Sequence, residues 1–292
     1  MKQQSLFRRL IRKVDKTVAA WFFIDQWIIL AGGPLDYRKL DWRSLTPLIP
    51  PTDRYWGDPF PWQHDGCRYV FIEEKLYGTG RGRIACLELD ERGALVSQQV
   101  ALERPYHLSY PFLFEHAGEL YMLPETAEQR TVELYRCAHF PDRWDFVKNL
   151  LSGVYAVDAT LLDYSGRYWL FANVKQPGGS SLDALHLYSS EDLLGGSWQP
   201  HPHNPVVNDL SAARPAGRVF MHEGALIRPA QDHSRRYGGA LKFQRIETLS
   251  TSAFEEVTEF SFTPAHSKYL ATHTFNQAGD LTVIDAVLRR PK

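Results

Sequence analysis

The chain has 292 residues, 44% hydrophobic and 13% aromatic, with a formal net charge of −1, a balance that argues against a nucleic-acid partner. Its three cysteines, Cys67, Cys86 and Cys137, are an odd number without metal-ligand spacing. Neither a disulfide framework nor a structural zinc site is therefore expected, and a reducing compartment is the simpler inference.

The first segment differs in character from the rest. Leu6, Phe7, Leu10, Ile11, Val14, Val18, Trp21 and Phe22 recur at helical spacing, with Lys2, Arg8, Arg9, Arg12, Lys13 and Lys16 on the other faces. The pattern predicts a short basic amphipathic helix over residues 1–25. Such a helix can dock on the body of the protein, lie on a membrane surface, or act as an export signal. Asp25 interrupts the apolar run well before the roughly 20 residues a spanning helix needs. The expected location is the cytoplasm, possible contact with the inner face of the membrane running through this helix.

From residue 26 to 292 one pattern recurs five times: apolar strand, polar turn carrying a glycine, apolar strand. The turns are His64-Asp65-Gly66, His116-Ala117-Gly118, Tyr164-Ser165-Gly166, His222-Glu223-Gly224 and Gln277-Ala278-Gly279, and successive glycines lie 52, 48, 58 and 55 residues apart. That period belongs to a propeller blade and not to a helical solenoid, so the expected fold is an all-β, five-bladed β-propeller. After Gly279 only Leu281–Leu288 remains for strands. The last blade therefore needs one or two strands from between Trp27 and Leu48 to close the ring and remove exposed edges.

The strand before each turn is expected to start at a central funnel. Eight residues before the glycine stand Asp58, Tyr110 and Asp158; the fourth repeat offers Arg214 ten back, and the fifth His273 six back. Polar groups at equivalent strand starts are what a ligand in the funnel needs for orientation. The plain alternatives are a turn cap for Asp58, a salt bridge from Asp158 to Arg214, and an ion-pair network of Arg214, Arg228, Gln231 and Asp232 stitching the fourth blade. Glu125, Glu73 and Glu74 end second strands; one is a candidate acid, the others solvated strand ends.

The runs Trp56-Gly57-Asp58-Pro59-Phe60, His107-Leu108-Ser109-Tyr110-Pro111, Pro124-Glu125-Thr126, Ala156-Val157-Asp158-Ala159-Thr160, Arg214-Pro215-Ala216-Gly217 and Arg228-Pro229-Ala230-Gln231-Asp232 together resemble the N-terminal propeller domain of glucosamine inositolphosphorylceramide transferases. The resemblance covers roughly residues 36 to 290. In the plant enzymes that domain is fused to a glycosyltransferase domain, so the resemblance does not carry the plant activity to this sequence. More distantly the chain is similar to five-bladed propeller glycosidases (arabinanases and β-xylosidases) and to mannoside phosphorylases. The glycosidase resemblance implies a base at Asp58 and an orienting aspartate at Asp158. It gives no acid in the fourth blade, where Glu223 occupies the turn at the wrong end of the strand.

These readings converge on a carbohydrate-active propeller. Glycosyl transfer, of transferase or phosphorylase type, in cell-envelope polysaccharide or glycolipid biosynthesis is the first expectation, with Asp58, Glu125 and Asp158 as catalytic residues. Trp56, His107, Tyr110, Arg214, Arg228, Gln231, Asp232 and His273 are the expected ligand-binding residues. The cations His107, Arg214, Arg228 and His273 tilt the ligand toward a sugar phosphate. A glycoside hydrolase of the arabinanase or xylosidase type and a non-catalytic glycan-binding module are the alternatives. No metal or cofactor is expected: Gly78-Thr79-Gly80-Arg81-Gly82 lacks the lysine and helix of a phosphate-binding loop.

Overall fold

The computed structural model describes residues 22–176, 178–264 and 267–292. The proposed helix over residues 1–25 lies almost wholly outside them. Five antiparallel sheets form the blades of a β-propeller. Blade one runs from its inner strand Arg54–His64 through Cys67–Leu76 and Gly82–Leu89 to Leu95–Leu102. Blade two has Ser109–His116, Glu119–Thr126, Thr131–His139 and Arg143–Ser152, and blade three has Ala156–Tyr164, Arg167–Val174 and Ala184–Ser190 with the short Gln199–Pro200 and Val207–Asn208 beyond. Blade four begins late, at Phe220–His222, followed by Ala225–Asp232, Ala240–Leu249 and Phe254–Phe262.

Blade five is assembled from both ends of the chain. Its order from the inside is Phe275–Ala278, Leu281–Pro291, Phe23–Gly32 and Thr46–Leu48. The closing ladder runs from Phe23 opposite Pro291 to Gly32 opposite Thr282. Two strands thus come from the N-terminal side, and the propeller begins at Phe23, taking in three residues that the sequence assigned to the helix. Ile28, Ile29, Leu30 and Ala31 in that strand are fully buried, so the ring is closed by apolar packing as well as by hydrogen bonds. Among the described residues, no helix is long and apolar enough to cross a membrane.

The turns explain the regular glycines. In the first four blades the two loop residues both have positive φ, for example Asp65 at 48° with Gly66 at 76° and Ala117 at 51° with Gly118 at 79°. This is the tight hairpin whose twist matches that of the flanking strands. Nothing lies within 4 Å of a Cβ built on Gly118, so a side chain there meets only backbone strain. Gly118→Val should cost about 1–2 kcal/mol. A shifted urea midpoint at constant slope is the expected reading; an unchanged midpoint would count against it. Gly217 is different: a Cβ there would lie 2.1 Å from the Phe275 carbonyl, so blades four and five approach through a residue without a side chain.

The core lies between neighbouring blades, where sheet faces pack. One cluster, including Phe60, Phe71, Phe112, Leu123 and Leu170, spans blades one to three; another, including Ile28, Phe243, Phe275 and Ile284, joins blades four and five. Near the axis Arg218 donates to the Leu113 carbonyl and lies over the Phe112 ring at 4.7 Å. Its own N–H is held by Asn276 Oδ1 at 2.8 Å, and Asn276 Nδ2 donates to the Pro59 carbonyl at 2.9 Å. These bonds tie inner segments of four blades together beneath the site.

Candidate active site

Three inner strands start with the same deformation. Asp58, Tyr110 and Asp158 have φ of 49°, 44° and 53°, unusual for residues with side chains. Each sits where the ladder slips, between Gly57 and Phe60, Ser109 and Phe112, and Val157 and Thr160. A bulge re-aims the side chain it carries, and strain of about 1–3 kcal/mol at each position persists only where surrounding bonds hold it. The holding bonds are visible. Asp58 N donates to Asp285 Oδ2 at 3.2 Å, Tyr110 N donates to Asp58 Oδ2 at 3.3 Å, and Asp158 O accepts from Thr160 Oγ1 at 3.1 Å.

Asp58 is buried. Its Oδ1 accepts from Thr274 Oγ1 at 3.0 Å, with His273 Nδ1 3.8 Å away. Burial raises its pKa to about 6; the charge of His273 opposes the rise, and those of Asp158 and Asp285 add to it. His273 Nδ1 lies 2.5 Å from Asp285 Oδ2. Burial works against the charged ring, but Asp285, by charge and hydrogen bond, and then Asp58 outweigh it and lift His273 to about 9. Asp58, His273 and Asp285 bring three potential ligand atoms within 4.8 Å of one another. Asp285 Oδ1 already accepts from His273 N at 2.8 Å and Thr274 N at 3.0 Å. With both carboxylates engaged by N–H and O–H donors, this cluster fits an ion-paired hydrogen-bond network better than a cation cage.

Across the funnel, Asp158 is bound by Arg214 through Nε at 2.5 Å and Nη2 at 3.3 Å, and by Gln231 Nε2 at 2.8 Å. Glu125 belongs to the same group and stays protonated far above the ordinary carboxylate range. Burial is the main cause and the neighbouring Asp158 charge the next, with Arg214 pulling the other way. Its buried Oε2 has no hydrogen-bond partner. Tyr110 contributes a buried side chain whose hydroxyl lies 2.8 Å from Thr160 Oγ1, so it belongs to the packed base of the site.

The blade-one side carries a second buried acid. Glu73 Oε1 accepts from Tyr55 Oη at 2.9 Å and lies 3.3 Å from His107 Nε2. Burial, followed by the Asp58 charge, pushes Glu73 up to about 8 against the opposing Tyr55 hydrogen bond. His107 Nδ1 accepts from Gly82 N at 2.9 Å, which leaves Nε2 as the protonated nitrogen facing Glu73. Aromatic rings line the mouth: Trp27 stacks on His273 at 4.1 Å, Tyr237 meets Trp27 edge-on at 6.2 Å, and Arg214 lies over Tyr237 at 5.6 Å.

The structure thus gathers Asp58, Tyr110, Glu125, Asp158, Arg214, Gln231 and His273 into one cluster, with His107 beside it on Glu73. Three residues expected to bind ligand lie elsewhere. Trp56 is buried between blades and donates to Glu74 Oε2 at 3.2 Å. Arg228 forms a two-pronged pair with Glu256 at 2.8 and 2.6 Å and donates to the Ala212 carbonyl at 2.7 Å. Asp232 closes a turn by accepting from Ser234 N at 2.9 Å. Nor are Glu73 and Glu74 solvated strand ends; both are buried, Glu74 being bound by Arg54, Arg83 and Trp56.

Glu73 is one of three candidate acids in the sequence, whereas Asp285, Trp27, Tyr55 and Tyr237 are not singled out there as site residues. One signal was present for the first. Glu73, Glu125, Asn173 and Gln231 each stand seven residues after a turn glycine. The second strands therefore present a polar position at one register, just as the first strands do at Asp58, Tyr110 and Asp158.

The raised pKa values set a pH dependence of stability. His273 is held above its unfolded value of about 6.5, so its contribution is complete below that pH and is lost as pH rises through about 9. Asp58 and Glu73, also raised, bind protons more tightly folded than unfolded, so their ionisation destabilises in the same direction between about 4 and 8. The melting temperature is expected to fall between pH 6 and pH 9, and to fall less in His273→Gln. A melting temperature that rises over this range would contradict these assignments.

Residues 50–278 match the family model described as glucosamine inositolphosphorylceramide transferase 1, N-terminal. The protein named glucosamine inositolphosphorylceramide transferase 1 from Oryza sativa subsp. japonica is 36% identical over 248 residues, covering 77% of this chain and 33% of that protein. Its Arabidopsis thaliana counterpart is 34% identical over 243 residues, covering 77% and 31%. The chain thus spans about a third of the length of these relatives. Among solved structures, the family 117 glycoside hydrolase Zg3597 of Zobellia galactanivorans superposes with TM-score 0.59 at 12% identity, covering 90% of each chain. A GH43_1 enzyme from Xanthomonas citri gives 0.58 at 13% identity, covering 82% of this chain and 88% of that one. Those distant likenesses establish the propeller fold, and the sequence matches establish the kinship: this chain belongs to the family of the N-terminal domain of glucosamine inositolphosphorylceramide transferase 1.

Proposed function

We propose that this propeller is a carbohydrate-active protein that holds a glycosyl ligand in its funnel and catalyses glycosyl transfer, with Glu125 as the acid and Asp58 as the base or nucleophile. One observation carries the reading: one cluster brings together two carboxyls in different settings, Glu125, whose buried Oε2 has no partner and whose pKa burial raises well above the ordinary value, and Asp58, which accepts from Thr274 Oγ1 and Tyr110 N and is raised only to about 6. Cleaving or forming a glycosidic bond needs this division, because one group protonates the leaving oxygen while the other activates the acceptor or attacks the sugar. Asp158, fixed by Arg214 and Gln231, acts on Glu125: its charge holds the acid protonated and its fixed position orients it. Kinship to a glucosamine inositolphosphorylceramide transferase supports a sugar ligand, and the family 117 glycoside hydrolase that shares the fold is consistent with it. Of the two proposed settings, envelope polysaccharide and glycolipid biosynthesis, the second accords with the inositolphosphorylceramide that the plant relatives are named for.

The ion pairs alter the expected ligand. Arg214 is committed to Asp158, Arg228 to Glu256 and His273 to Asp285, so these cations no longer favour a phosphate. A neutral glycoside or its acceptor fits the funnel better. The locked Asp158–Arg214 pair also suits a module that binds glycan without turnover, which makes that the second reading.

The test is a screen of nucleotide-activated sugars and aryl glycosides against the purified protein, with Asp58→Asn as control. Turnover by wild type and not by the variant supports catalysis. Saturable binding without turnover supports the binding module, and neither result with any sugar contradicts both.

A further inference from the structure

Gly57 stands in the inner strand of blade one, between Trp56 and the strained Asp58. A Cβ built on it would meet Glu73 Oε2 at 3.6 Å, Tyr55 Cε2 at 3.8 Å and His273 Cε1 at 3.9 Å, all ordinary van der Waals distances. Its φ lies outside the left-handed region, so neither backbone nor neighbours require glycine here. The missing side chain leaves a recess bounded by an acid, an aromatic edge and an imidazole. Of the acid's two oxygens, Oε1 faces Tyr55 and His107, whereas Oε2 borders the recess and has no hydrogen-bond partner among the described residues.

We infer that the recess over Gly57 is a subsite for an uncharged oxygen of the sugar ligand, a hydroxyl or ring oxygen, and that Glu73 is its hydrogen-bond donor and a determinant of specificity. The inference rests on reading the funnel as a glycosyl site. With Oε1 accepting from Tyr55 Oη and facing His107 Nε2 at 3.3 Å, the carboxyl hydrogen belongs on the unpaired Oε2, where it points into the recess. The groups facing Glu73 are Tyr55, His107, Lys75, Asp58 and His273. Burial and the Asp58 charge keep the hydrogen in place at neutral pH. A protonated acid beside the cationic His273 ring adds no negative charge of its own to the recess, which selects an acceptor oxygen over an ammonium. Glycine at 57 lets that oxygen approach the strand itself.

The test uses saturation-transfer NMR with the methyl pyranosides of glucose, galactose, mannose, xylose and glucosamine on wild type, Gly57→Ala, Glu73→Leu, Glu73→Gln and Asp58→Asn. At least one glycoside is expected to bind wild type. Gly57→Ala should weaken it about tenfold or more while melting within about 2 °C of wild type. Glu73→Leu should weaken it similarly, and Glu73→Gln, which cannot ionise, should lessen the loss of affinity between pH 7 and 9. If Gly57→Ala fails to fold, the pH profile of Glu73→Gln against wild type carries the test. Wild-type affinity in both Gly57→Ala and Glu73→Leu, alongside weakened binding in Asp58→Asn, would overturn the subsite and leave the funnel reading standing. No binding of any glycoside to wild type would overturn the funnel reading, and the subsite with it.

Discussion

Arg214→Ala is expected to destabilise the fold by about 3–5 kcal/mol, because it leaves the Asp158 carboxylate buried without its counter-charge. Asp158 is 1% exposed and receives two bonds from the guanidinium, at 2.5 and 3.3 Å, and only one from Gln231. Arg214→Lys keeps the charge but cannot reproduce the planar two-pronged contact, so it should recover only part of the loss. Removing both charges in Asp158→Asn with Arg214→Met should cost less than Arg214→Ala alone, since no unpaired charge remains. Urea unfolding curves of the four proteins check this. Arg214→Ala within about 1 kcal/mol of wild type would show that solvent reaches Asp158 and that the pair is not a buried one.

Asp58→Asn is expected to lower turnover by about 10²–10⁴-fold, the range in which a positioned acid or base contributes, with little change in melting temperature. The second half follows from the raised pKa: this environment disfavours the charge, and a neutral amide removes it. Asn can still accept from Tyr110 N, and Thr274 can rotate its hydroxyl to accept from the new amide. In wild type the acid limb of the rate profile should fall below pH 6, where Asp58 takes up its proton. The variant should lack that limb in any residual activity. Glu125→Gln should show the complementary pattern, a loss that shrinks for aryl glycosides whose leaving group needs no proton. Full activity in Asp58→Asn would remove Asp58 from the chemistry.

Most of the fold was legible because a tight two-residue hairpin admits few residue types, and repeating it in four blades, with a glycine turn again in the fifth, prints a period on the chain. Blade closure was legible as well, since the fifth repeat runs out of residues after Leu288. The site was readable only where it followed that period: Asp58, Tyr110 and Asp158 share one offset from their turns. Trp56 was misplaced because the bulge beside it breaks the strand alternation from which a facing would be inferred. Tyr55 and Gly57 face the funnel, and Trp56 faces Glu74. Arg228 was misplaced because its partner Glu256 lies two strands away, and cross-strand register is set by packing that no single strand encodes. Trp27 and Asp285 escaped notice because blade five is built from both ends of the chain, where the repeat spacing no longer applies.

Glu125 and Asp58 divide the acid and base roles between two sides of one funnel, Glu125 holding its proton well above the ordinary range and Asp58 ionising at about 6. Carboxyl ¹³C shifts in protein labelled at Asp and Glu side chains, assigned through Asp58→Asn and Glu125→Gln and followed from pH 4 to pH 9, read both groups directly without any ligand. The predicted result is an Asp58 midpoint at about 6 and a Glu125 midpoint well above that of an ordinary glutamate. Two carboxylates both ionised by pH 5 would contradict it, and with it the assignment of acid and base.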